Sequence, residues 1–193
     1  DPQPSTSRQS LLTSAATEQE IARLGHPNHV VRELAQRALA GAGERALKPL
    51  GRVAETGEPL AAAGAVWTLS RIGSGEATHT LTRALKHPDA RVRAHALRQL
   101  RQAAGQTLAA DRTPEQHPLM AGANLAKLAA PLLQDPDAEV RVEAALAQDS
   151  SASVTQGLLA ALAGTPDSRL LYQVGMHLGR NGDAASVLAL VRS

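Results

Sequence analysis

A chain of 193 residues is long enough to bury a core as one domain or as two small ones, and its lack of cysteine removes disulfides, thiolate metal sites, covalent haem attachment and cysteine nucleophiles together. Its 20 basic and 18 acidic residues leave a formal charge of +2, too little for the long-range field that nucleic-acid binding draws on. Hydrophobic residues make up 43% and aromatics only 1%, so alanine and leucine supply the apolar surface, which favours close helix packing over strands. No apolar run approaches the ~20 residues of a membrane span.

Residues 1–16 hold Pro2, Pro4 and most of the local serine and threonine, and read as a linker or expression remnant. The Asp-Pro-Gln-Pro start reads as the edge of an excised piece. A short helix over 18–24 follows, with Ile21 and Leu24 on its apolar edge. From Pro27 the period becomes helical, with Val30, Val31, Leu34, Ala35, Ala38 and Leu39 at spacings of three and four. Gly41 and Gly43 end that helix; 44–55 restarts it, with Pro49 expected to kink it. Helices over 60–72 and 77–85 make a second pair around Gly73-Ser74-Gly75. The third pair opens at Pro88, and a polar, breaker-rich insertion over 104–123 delays its partner, 125–133. Pairs over 137–147 with 154–162, and 167–178 with 184–191, complete the chain.

The organising stretch is His87-Pro88-Asp89-Ala90-Arg91-Val92-Arg93. It returns as His26-Pro27-Asn28-His29-Val30-Val31-Arg32 and as Asp135-Pro136-Asp137-Ala138-Glu139-Val140-Arg141, with a degenerate copy at Pro166. The intervals between the opening prolines 27, 59, 88, 136 and 166 are 32, 29, 48 and 30 residues. Three cluster near 30 and the long one carries the insertion, which is the arithmetic of a helical-hairpin solenoid. Proline suits a first helical turn, where its missing N–H costs nothing. The residue before it is a candidate cap, and Asn28, Asp89 or Asp137 sets an acceptor on the exposed N–H groups. Val31, Val92 and Val140 should face inward, and Arg32, Arg93 and Arg141 should form a row binding neighbouring carboxylates or helix C-terminal carbonyls. Pro27, Pro88, Pro136, these arginines and Trp67, on an apolar face, are the expected structural residues.

These motifs resemble the HEAT-like repeats of the phycobilisome-lyase type, over residues 24–193. The resemblance implies an all-α, right-handed α-solenoid of about five helical hairpins over 17–193. Residues 24–37, 65–69 and 85–93, in that order, further resemble the HEAT section of large exported bacterial proteins that join a β-propeller, dehydrogenase-like domain to a c-type cytochrome domain. That second resemblance implies a connecting module in a periplasmic or other extracytoplasmic place.

No catalytic constellation is legible, and no cofactor or metal is expected. The seven histidines form no His-x-x-x-His pair, and the His-Glu dipeptide of iron-binding HEAT enzymes such as deoxyhypusine hydroxylase does not occur. Gly73-Ser-Gly75 lacks a following Lys-Ser/Thr and reads as a turn. The expected function is a non-catalytic scaffold for a partner protein or for neighbouring domains of the same polypeptide. Arg91, Arg98 and Arg101, with His117, Leu119 and Met120 of the insertion, are the candidate interaction residues. The basic cluster gives the alternative, a nucleic-acid-binding HEAT-like protein, its foothold; an enzyme with an unrecognised groove site is the third reading.

Overall fold

A computed structural model describes residues 14–109, 122–148, 151–162, 168–180 and 185, and no strand occurs among them. The all-α helical repeat expected from composition and period is what is found. The α-helices are α1 (Ser14–Arg23), α2 (His29–Ala42), α3 (Leu47–Thr56), α4 (Pro59–Ile72), α5 (Gly75–Leu81), α6 (Ala90–Ala109), α7 (Gly122–Ala129), α8 (Ala138–Leu146), α9 (Ser151–Leu162) and α10 (Ser168–Arg180). Short 3-10 turns precede α3 and follow α5 and α7. The chain divides into two compact units, Asp1–Val92 and Arg93–Ser193, with the division inside α6.

In the first unit α2 packs on α1 and α4, and α3 packs on α4 and α5. Leu24, Leu39, Leu50, Ala65, Val66, Leu69 and Leu81 are buried there. α1 begins at Ser14, inside the stretch read as linker. Pro49 falls in the first turn of α3 and leaves the helix unbroken, because first-turn N–H groups have no intrahelical acceptor. Gly41 lies within α2, and it is Gly43, at φ 58°, that closes the helix. Gly73, at φ 66°, ends α4, and the Ser74 side chain accepts from Ala77 N–H at 3.1 Å to start α5.

In the second unit α8 packs on α9, and α9 on α10. Val142, Ala145, Leu158, Ala161, Leu162, Leu170, Val174 and Leu178 form the core. α6 runs on to Ala109, so the start of the presumed insertion is helical; residues 110–121 lie outside the described residues. Alanine and glycine set the helix spacing: a Cβ added at Gly157 of α9 would stand 2.8 Å from the Ala145 Cβ of α8. Gly157→Ala should therefore lower the urea midpoint, although alanine is the better helix former by about 1 kcal/mol. Overpacking of a close helix contact costs about 1–3 kcal/mol.

The recurrent turn differs from its expected form. Pro27, Pro88 and Pro136 stand two residues before their helices, not in the first turn; among the opening prolines in the described residues, Pro59 alone sits at a helix start. The caps are the residues after proline. Asn28 accepts from Val30 N–H at 2.9 Å, Asp89 from Arg91 N–H at 2.9 Å, and Asp137 from Glu139 and Val140 N–H at 2.9 and 3.1 Å. The residue before proline has another task. His26 Nδ1, His87 Nδ1 and Asp135 Oδ1 accept the N–H of Asn28, Asp89 and Asp137 at 3.1, 3.0 and 2.9 Å. Imidazole and carboxylate thus fill one structural position, each placing an acceptor over the turn. Proline between them fixes φ and removes a donor that the turn has no use for.

Candidate interaction site

Of the arginines five residues after Pro27, Pro88 and Pro136, the first and third bind the carbonyls of their own turn and the second binds the carboxylate that opens the next copy of the motif. Arg32 Nη1 donates to the carbonyls of His26 and Pro27 at 2.7 and 2.9 Å. Arg141 repeats this with Asp135 and Pro136 at 2.9 and 3.0 Å, and its Nη2 reaches the Ala161 carbonyl in the last turn of α9 at 2.9 Å. Arg93 makes a bidentate pair with Asp135, Nε to Oδ2 at 2.9 Å and Nη2 to Oδ1 at 2.8 Å. Its side chain is 12% exposed and that of Asp135 6%, so this pair is withdrawn from water. Val92 and Val140 are buried as expected, whereas Val31 is half-buried. Val30 and Leu34 of the same helical pattern face solvent. Trp67 is half-buried, with Arg71 over its ring at 5.6 Å from the centroid.

The candidate interaction residues in the described part of the chain divide between the two units, and each of the three arginines is held by a carboxylate. Arg91 belongs to the first unit, where it chelates Asp89 through Nε at 3.1 Å and Nη2 at 2.7 Å. That bond holds the Asp89 carboxyl down at about 2, so the helix cap persists well below neutral pH and is lost only as pH falls towards that value. Arg98 and Arg101 belong to the second unit and are neutralised by α8. Arg98 Nε meets Glu143 Oε1 at 2.8 Å and its Nη2 meets Glu139 Oε1 at 3.0 Å, while Arg101 Nη2 meets Glu143 Oε2 at 3.3 Å. Glu143 is buried, and the Arg101 Nε is buried with no acceptor. His117, Leu119 and Met120 lie outside the described residues.

The second unit contains a recess of about 530 Å³ that sequence reasoning did not anticipate. Val142, Leu146, Leu158, Tyr172, Val174 and Met176 make its apolar wall, and Arg98, Glu139, Glu143 and His177 its polar side. The helical period explains the wall. Leu170, Val174 and Leu178 form the buried stripe of α10, and Tyr172 and Met176, four apart, sit off that stripe at 68% and 41% exposure. Apolar residues outside a helix's buried stripe are the signal that could have found them. Among the described residues no group of three or more His, Asp or Glu is placed to hold a metal, and no helix is long and apolar enough to cross a membrane.

Residues 17–101 match the family of HEAT repeats. No curated protein matches the chain.

Proposed function

We propose that this protein is a non-catalytic scaffold whose contact surface for a partner protein includes the recess of the second unit. The observation that carries this reading is the exposed Tyr172–Met176 pair beside an ion cluster whose charges are already satisfied. A large aromatic and a soft thioether on the apolar wall of a recess are hot-spot chemistry for protein association. HEAT repeats as a class present surfaces to other proteins, which agrees with the match over 17–101. The pairing of Arg98 and Arg101 with Glu139 and Glu143 weakens the nucleic-acid alternative, since guanidinium groups held by carboxylates release fewer counterions from a duplex. In its finer form the proposal makes the partners neighbouring domains of one polypeptide, supported by the sequence pattern of residues 24–37, 65–69 and 85–93.

Tyr172→Ala and Met176→Ala should each leave the melting temperature unchanged, because neither side chain belongs to the core. Partner affinity in pull-downs from the native host should fall by ~2 kcal/mol for each, about thirtyfold. Salt-sensitive binding of duplex DNA that disappears on changing Arg91, Arg98 and Arg101 would overturn the reading in favour of its rival.

A further inference from the structure

We propose that the joint between α6 and α8 is acid-sensitive, with His95 as the group that makes it so, and that acidification loosens the wall of the recess. The inference deepens the proposed function by giving that site a regulator. It can be tested on the chain alone.

The joint holds an ion cluster in which, among the described residues, two guanidinium groups face two carboxylates. α6 contributes Arg98 and Arg101, α8 contributes Glu139 and Glu143, and the three pairs that link them measure 2.8 to 3.3 Å. Glu143 is buried between the two guanidinium groups, and the Arg101 Nε already lacks an acceptor. The cluster therefore has little capacity to absorb another positive charge. His95 stands one helical turn before Arg98 on α6, half-buried, and near enough to Arg98 and Glu143 to feel the charge of both. When neutral it leaves two cations against two anions. When protonated it adds a third cation to a half-buried site, next to Arg98.

Among the described residues, further charged or titratable groups lie on the elements around the cluster. Arg91, earlier on α6, is held by Asp89; Lys127 of α7 is exposed and of the same sign; and His177 of α10 lines the same recess. Burial, reinforced by Arg98, lowers the pKa of His95 below its ordinary 6.5, with Glu143 opposing the shift. The sign follows. A histidine whose pKa is depressed in the closed joint takes up its proton more readily once the joint opens, so stability of the closed form is lost as pH falls below about 6.5.

The experiment is hydrogen exchange of the α8 amides at pH 7.5 and 5.0, corrected for the intrinsic pH dependence of exchange, in the wild type, His95→Gln and His177→Gln. The wild type and His177→Gln should lose α8 protection several-fold on acidification, and His95→Gln should retain it. In the wild type the loss should also track the His95 imidazole titration followed by NMR, which keeps the test independent of how the variants fold. An α8 whose protection is flat while His95 titrates, or a loss that persists in His95→Gln, overturns the proposal. Either result leaves the partner-binding reading to stand or fall on the Tyr172 and Met176 variants.

Discussion

Asp135→Ala should destabilise the second unit by about 3–5 kcal/mol, the cost of removing one member of a buried ion pair. Arg93 would keep its charge in a place where its side chain is only 12% exposed, with both of its carboxylate bonds gone. The same substitution strips the acceptor from Asp137 N–H, so the turn that starts α8 loses a support as well. Chemical denaturation monitored by circular dichroism measures the loss. A double-mutant cycle with Arg93→Met separates the pair from the turn: the double variant should recover part of the stability, because an apolar side chain tolerates the site better than a guanidinium that has lost its carboxylate. Equal losses in single and double variants would assign the whole effect to the turn.

The second large effect falls on His87→Ala. His87 is buried at the end of the first unit, Nδ1 accepting from Asp89 N–H at 3.0 Å and Nε2 placed 2.8 Å from the Gly57 carbonyl. With Nδ1 committed as an acceptor, Nε2 carries the hydrogen and donates it. The ring thus ties the turn before α6 to the end of α3, thirty residues away in sequence. Alanine leaves a buried void and two unmade hydrogen bonds, each orphaned group costing about 1–3 kcal/mol. His87→Asn, which can still offer an acceptor near Nδ1, should recover part of this in the same denaturation experiment. If alanine lowers stability by no more than an exposed substitution, the bridge is energetically idle.

These two residues show what the sequence displays and what it hides. The period was legible because each repeat must start its own helix, and proline followed by Asn or Asp is a cheap start signal. The assignment of tasks within the signal was not. Spacing alone does not distinguish proline in a first turn from proline ahead of a cap, and the two readings differ by two residues. Nor does chemistry at one position announce itself: His26, His87 and Asp135 look unrelated as letters, yet each presents an acceptor to the same N–H.

The interaction site was less legible than the fold. Arg98 and Arg101 stood out as a basic cluster because their carboxylate partners lie 41 to 45 residues further on, across the breaker-rich stretch. Charge counted locally suggested a surface for phosphates; charge counted in space is balanced. Tyr172 and Met176 were hidden for the opposite reason, since a helix that already carries three leucines and a valine makes two more apolar residues look like core. Only their phase against Leu170, Val174 and Leu178 separates them from it.

If a partner protein sits in the recess beside Tyr172 and Met176, it must lie within reach of both side chains. The most direct measurement is photo-crosslinking in the native host, with a photoreactive side chain placed at 172 or 176 and, as control, at the exposed Arg37. A discrete protein adduct should form from 172 and 176, be absent from 37, and be lost when Leu146 in the recess wall is changed to Glu in a chain that still folds. Crosslinks to nucleic acid, or equal labelling from all three positions, would contradict it.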